Sequence, residues 1–178
     1  FVKAQQVLKN LPVRDAISWN TIITGYAQVG NCSEVLGCFE EMEKEGLLPD
    51  EVTFLGVLNA CSHLGLLDHG QMYYESMCTI YGIIPSLEHQ TCIVDLFARA
   101  GDFQKAVAMI TKTPIIDYLP MWTALLGACH KWGNVKLGRM AFQHAVQLDE
   151  KDVGLYVCMR NIYASAAMQE QVRNTNIC

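Results

Sequence analysis

The chain has no CxxC pair, no HExxH, no GxSxG elbow and no glycine-rich phosphate loop in its 178 residues. A zinc ribbon, a thioredoxin-type redox site, a zincin, a serine hydrolase and a nucleotide cradle each need one of those spacings, so none is expected. Charge is also scarce. Asp, Glu, Lys and Arg make up 17% against 51% apolar residues, which excludes wholesale disorder. The net charge of −5 supplies little non-specific attraction to phosphate. No uncharged apolar run approaches the ~20 residues of a membrane span, and no strand or hairpin pattern stands out. The eight cysteines do not bunch as in a disulfide scaffold; most sit inside apolar helical patterns. They are expected to be reduced, partly buried thiols in an intracellular compartment. No initiator Met and no targeting leader precede Phe1, so any targeting segment is expected to lie outside this chain.

What the chain does have is a period. Gly30, Gly65, Gly101 and Gly133 each separate two apolar helical patterns, at intervals of 35, 36 and 32 residues, and a further 34 leads to Ala167. Eleven residues before these anchors stand Trp19, Phe54, Gln90, Trp122 and Tyr156. Eight before are Ile22, Val57, Ile93, Leu125 and Met159; four before are Tyr26, Cys61, Phe97, Cys129 and Tyr163. Nine after are Phe39, Tyr74, Ile110 and Phe142. Offsets of three and four place the first three columns on one stripe of a helix before the turn. A residue without Cβ enters the left-handed region cheaply, which suits the turn. Each unit is therefore expected to be two antiparallel helices, neither able to bury its stripe alone. The expected fold is all-α: a right-handed α-solenoid of stacked antiparallel helix-turn-helix repeats. Ala167, in the glycine column, and Arg160, in an apolar column, mark the last repeat as divergent.

The residues inside the period carry a resemblance. Residues 16–50, with SWNTIITGYAQVG, FEEM and GLLPD, resemble a pentatricopeptide repeat. Residues 51–86 look like the long variant of the plant subclass with mixed repeat lengths (the PLS subclass), and 87–118 like its short variant. Residues 119–152, with MWTALLGACHKWGNVKLG, resemble the C-terminal extension (E-type) motif. Residues 153–178 begin like a second such motif in LYVCMRNIYASA and then depart from it. Residues 1–15, closing in VLKNLPVRD, fit the second helix of a preceding short repeat. A tetratricopeptide repeat would instead need WxxLGxxY, a spacing that MWTALLGACHKWG does not have.

The resemblance implies sequence-selective binding of single-stranded RNA, one base per repeat, through a repeat's second, fifth and last residues. In residues 16–50 these are Ile17, Asn20 and Asp50. Ile17 is expected to pack on a base plane. Asn20, with a donor and an acceptor, is expected to meet a pyrimidine edge, with Asp50 orienting it through water. By resemblance this pair favours uracil. The same residues could do no more than hold the fold, with Asn20 bonding locally and Asp50 capping the helix that begins near Glu51. The long repeat offers Val52, Leu55 and Ser86; the short repeat offers Thr91, with Glu88 and a Tyr118 that departs from the usual Asn or Asp. Arg99, Lys131, Lys136 and Arg139 are expected to be solvated helix faces rather than a basic strip.

Many relatives in this family end in a DYW-type deaminase domain, which needs HxE and CxxC to hold zinc. Both are absent here, so the chain is expected to be no enzyme and to need no cofactor, metal or small-molecule substrate. The implied whole is an organellar (mitochondrial or chloroplast) RNA-processing or RNA-editing factor, of which this is the C-terminal part. The alternative is a protein-binding scaffold, with 119–178 recruiting a partner such as a deaminase in trans.

Overall fold

The structure, a computed structural model, describes residues 15–113 and 117–175, with side chains in the last helix described as far as Ala167. The partial repeat expected over 1–15 thus lies outside the described residues, save Asp15. Among the described residues are nine helices and no strand. They are α1 (Ala16–Gln28), α2 (Cys32–Lys44), α3 (Glu51–Leu64), α4 (Leu67–Thr79), α5 (Leu87–Ala100), α6 (Phe103–Lys112), α7 (Leu119–Trp132), α8 (Val135–Leu148) and α9 (Val153–Thr175). None is long and apolar enough to cross a membrane. They form two compact units that divide after Leu96, within α5.

The chain reverses where the glycine column stands. α3 ends on Gly65 at φ 69°, whose N–H donates to the carbonyls of Cys61 and Ser62. α7 ends on Gly133 at φ 64°, with the same bonds to Cys129 and His130. Gly30 and Gly101 share the left-handed backbone. At the fifth position of the column stands Ala167, and there α9 runs straight on to Thr175. A Cβ makes the left-handed conformation cost about 1–2 kcal/mol, so continuing the helix is the cheaper course. The last repeat accordingly has a long first helix and no hairpin among the described residues.

Where the chain does reverse, the second helix covers the stripe of the first. In the first unit Trp19, Ile23 and Tyr26 of α1 and Val35, Phe39 and Met42 of α2 are all buried in one core with Phe54, Val57 and Cys61 of α3. The Trp19 indole N–H donates to Glu45 Oε2 at 3.0 Å, fastening α1 to the end of α2. Successive repeats then meet through an aromatic pair: Phe39 sits edge-on to Phe54, with centroids 5.7 Å apart, and Tyr73 and Tyr81 close over them. The equivalent pair in the second unit is Phe142 on Tyr156, at 5.3 Å.

Small residues allow the second helices to approach the next repeat. Five positions after the turn glycine stand Gly70 and Gly138, both buried. A Cβ on Gly70 would lie 2.3 Å from Leu96 Cδ2 and 3.2 Å from Cys61 Cβ. One on Gly138 would lie 2.9 Å from Ile162 Cδ1, the residue at the same column as Leu96. Gly70→Val should therefore destabilise the chain by about 1–3 kcal/mol through overpacking. Leu96→Ala in the same chain should recover part of that loss, which urea unfolding of the two single variants and the double variant will measure.

The thiols are packing groups. Cys32, Cys38, Cys61 and Cys129 are buried and form no disulfide. Burial pushes Cys61 up to about 11 and Cys129 up to about 12. In the unfolded chain such thiols titrate near ~8.5, so the unfolded state loses its protons first and the stability held by the neutral buried thiols is lost as pH rises past about 9. Melting temperature should be level from pH 6 to 8 and fall from about pH 9 upward, and these four thiols should react with a disulfide reagent only in denaturant.

Candidate nucleic-acid interface

The residue that closes each repeat also begins the next first helix, and this column positions the site. Asp15 Oδ1 accepts the N–H of Ser18 at 2.9 Å and caps α1; its hydrogen bonds from Ser18 hold the carboxyl below the usual range. Asp50 does the same for α3, accepting the N–H of Thr53 at 3.0 Å, while the N–H of Asp50 donates to Thr53 Oγ1 at 3.1 Å. This is a capping box built from Asp and Thr.

The cap has a second use. Asn20, on α1, donates from Nδ2 to Asp50 Oδ2 at 2.7 Å and accepts on Oδ1 from Thr53 Oγ1 at 2.6 Å. The carboxylate can only accept, so it fixes which end of the amide carries nitrogen. The single hydroxyl proton of Thr53 goes to the nearer oxygen, that of Asn20, rather than to Asp50 Oδ1 at 3.1 Å. One N–H and one lone pair of the amide are left over. Asn20 and Asp50 are half-buried and Thr53 is fully buried, so the arrangement is held on its inner side and open on its outer side.

Ile17, Asn20, Asp50 and Val52 line one open cleft of about 810 Å³, together with Thr21 and Gln28. Ile17 is 74% exposed and Val52 49%, so two apolar side chains, one from each successive repeat, flank the amide. Four of the seven sequence-predicted residues are thus brought together. Asp50 caps a helix as expected, whereas Asn20 bonds not locally but directly to Asp50 and Thr53, 30 and 33 positions away, and these bonds hold its amide at the wall of the cleft.

The other three stand apart from this cleft. Leu55 is half-buried on α3. Ser86 Oγ donates to Glu88 Oε2 at 2.6 Å and lies 2.8 Å from His89 Nδ1, so its hydroxyl is spent on the start of α5. Thr91 Oγ1 donates to the Leu87 carbonyl at 2.7 Å. His89 replaces Thr53 in this second interlock. It is buried, and its Nε2 lies 2.8 Å from the Glu51 carbonyl, an acceptor only, so that nitrogen carries the proton and Nδ1 accepts from Ser86. Sequence reasoning missed Thr53 and His89, although each stands three residues after the repeat's last residue, the spacing of a capping box. Of the four basic residues considered, Lys131 caps the Arg99 carbonyl at 3.4 Å, whereas Lys136 and Arg139 line separate grooves.

Fold and site together define a helical-repeat protein in which a capped helix start presents a fixed amide from one repeat to the next. Residues 14–63 match the PPR repeat family and 52–80 match the PPR repeat. A pentatricopeptide repeat-containing protein of Arabidopsis thaliana is 43% identical over 170 residues, covering 96% of this chain and 34% of the relative. Another from the same plant is 38% identical over 170 residues, covering 96% and 28%. The chain is thus a pentatricopeptide repeat protein of plant type, and spans about a third or less of the length of these curated relatives. The fold matches the crystal structure of the maize pentatricopeptide repeat protein PPR10 with a TM-score of 0.69 at 18% identity, covering 98% of this chain and 27% of that one. It also matches the pentatricopeptide repeat domain of Arabidopsis protein-only RNase P 1, crystallised with tRNA, with a TM-score of 0.61 at 15% identity, covering 87% and 83%. At such identities the likeness gives the fold: an all-α helical-repeat solenoid.

Removing the Thr53 hydroxyl leaves the Asp50 N–H and Asn20 Oδ1 each short of a partner, so Thr53→Val should cost about 1–3 kcal/mol. Thr21→Val is the control: it loses only a bond to the Ile17 carbonyl on an exposed face and should cost under about 0.5 kcal/mol in the same urea titration.

Proposed function

We propose that this chain binds single-stranded RNA, with residues 16–52 holding one pyrimidine. The observation that carries the reading is the locked Asn20 amide between exposed Ile17 and Val52. A base inserted there stacks between the two aliphatic side chains and turns its edge to the one free N–H and the one free lone pair of Asn20. Uracil offers an acceptor at position 4 and a donor at position 3; cytosine offers them in the opposite order. An amide free to rotate would accept both by flipping. Here a flip would set Oδ1 against the Asp50 carboxylate, so the lock turns a permissive group into a discriminating one. The resemblance assigns the preference to uracil. PPR10, one of the structural neighbours, has been crystallised with an 18-nucleotide psaJ RNA element, which supports RNA as the ligand class.

The finer assignments belong to the same proposal. The chain is a C-terminal portion of a longer PLS-type array with E-type motifs over 119–178, acting in an organelle as an RNA-processing or RNA-editing factor that binds and does not catalyse. Among the described residues no basic side chain lines the cleft, so affinity there rests on stacking and base contacts with a shallow salt dependence, and one register alone is weak. Missing phosphate contacts and further reading positions would come from other repeats of the array.

Asp50→Asn tests the lock. Asparagine still caps a helix, so α3 remains, but it can donate as well as accept and lets the Asn20 amide turn over. Titrating oligonucleotides that differ at one uracil or cytosine should give a preference of about 5- to 100-fold for the parent chain. The variant should keep its overall binding and lose most of that preference. Unchanged discrimination in the variant would remove the lock from the account, and no binding of any oligonucleotide by the parent would remove RNA.

A further inference from the structure

The residue just before each turn glycine is exposed: Val29, Leu64, Ala100 and Trp132. The first three are aliphatic, whereas the fourth is an indole, left 50% exposed. The ring is fixed from one side. A Cβ on Gly101 would lie 3.0, 3.2 and 3.3 Å from Trp132 Cζ2, Cε2 and Cη2, three consecutive atoms of the six-membered ring. An approach in the ring plane comes that near to only one of the three, so Gly101 lies against a face of the indole. The indole N–H donates to the Arg99 carbonyl at 3.2 Å, which ties down that edge. The exposure therefore belongs to the opposite face. Neighbouring repeats do not close it: α5 supplies Arg99 and Gly101, α9 packs on α7, and half of the ring still meets water.

The rim of this face is cationic. Lys131 Nζ stands 5.8 Å from the ring centroid and 3.4 Å from the same Arg99 carbonyl, a neutral acceptor that leaves the ammonium its charge. Asp102, the carboxylate next to Gly101 in the chain, is bridged to Lys105 at 3.6 Å. We propose that Trp132 is a stacking platform for one nucleobase of single-stranded RNA, a purine in preference to a pyrimidine, with Lys131 meeting a phosphate beside it. This rests on the reading of the chain as an RNA binder and adds a contact outside the Asn20 cleft, one that takes a base by its π-face and reads no edge. Size and charge select the ligand. One indole face matches one base, and is far smaller than the ~800 Å² that each partner of a stable protein interface buries. A cationic ligand is repelled by Lys131, and an uncharged ring makes no use of it. A nucleotide supplies both halves, a flat π-system and a phosphate. The ring is already held by Gly101 and Arg99, so stacking orders little that was free.

The chain carries its own reporter. Of its three tryptophans, Trp19 and Trp122 are 1% and 3% exposed, so acrylamide and a stacking base reach only Trp132. A short oligoadenylate gives the Asn20 cleft no pyrimidine. It should quench the tryptophan emission saturably and protect it from acrylamide; an abasic strand of equal length, with phosphates but no bases, should do neither. Trp132→Leu should bind the oligoadenylate at least about fivefold more weakly. Lys131→Gln should lower the slope of log affinity against log salt by about 1. On strands that differ at one uracil or cytosine, Trp132→Leu should keep the preference of the parent chain. Circular dichroism checks that both variants stay helical, and the quenching of the parent chain needs no variant. An oligoadenylate that leaves the emission unchanged, equal quenching by the abasic strand, unaltered affinity in Trp132→Leu, or loss of the uracil preference in that variant would each overturn the platform. The first three would leave the Asn20 reading in place, whereas no binding of any oligonucleotide by the parent chain would overturn both.

Discussion

No first helix in this chain can bury its own apolar stripe, and that constraint organises everything else. The stripe must meet a second helix, and the second helix must run back along the first. The reversal depends on a residue that tolerates the left-handed backbone. Gly65 and Gly133 show the outcome where that residue is present, with carbonyls of the last turn tied to the glycine N–H and the stripe buried. Ala167 shows the outcome where it is missing: α9 runs on, and Tyr156 and Tyr163 stay in water. The difference is a single methyl group set against a conformational cost of one or two kcal/mol. Within each unit the repeats then stack because small residues such as Gly70 and Gly138 admit the branched side chains of Leu96 and Ile162.

Most of this was legible before any coordinates. The glycine period and the apolar columns located the helices, the turns at the four glycines and most of the buried faces, because burial at a helical period leaves a direct trace in the sequence; Ile22 is only half-buried, its neighbour Ile23 taking the core position, and Tyr156 and Tyr163 are exposed. Ile17, Asn20 and Asp50 were legible as one group by resemblance and Val52 as a member of the next, and the geometry brings the four to a single cleft. What escaped was the polar interlock. Thr53 looks like an ordinary residue in the first turn of a helix, and only its distance to Asn20, 33 positions away, reveals its part. His89 escaped for the same reason, since its partners Glu51 and Ser86 stand at the two ends of the preceding repeat, Glu51 being 38 positions away. Hydrogen bonds between repeats leave no periodic signature, whereas apolar burial does. The mid-column Arg160 was visible as an exception, but its exposure follows only from where α9 fails to turn.

The candidate site is a consequence of the same repeat logic. Each junction needs a helix start, and a carboxylate capping that start has a second oxygen to spare. At the first junction the spare oxygen holds Asn20, so the bonds that begin α3 also decide which way an amide on α1 faces. Asp50 thus serves the helix start and the amide through separate oxygens. At the later junctions Ser86 and Tyr118 stand in its place, and no equivalent amide is presented. Among the described residues the first junction is the one where the cap of the next helix holds a side-chain amide.

The functional account turns on the Asn20 amide being held in one orientation before any ligand arrives. Side-chain amide resonances of the free chain report this directly. The account predicts that the Asn20 Nδ2 proton bonded to Asp50 exchanges with water at least about tenfold more slowly than the side-chain protons of exposed Asn31. It also predicts that Asp50→Asn removes this protection while α3 stays folded. An Asn20 amide exchanging at the same rate as that of Asn31 would contradict the account, for it would mean an amide free to flip and no physical basis for choosing one pyrimidine over the other.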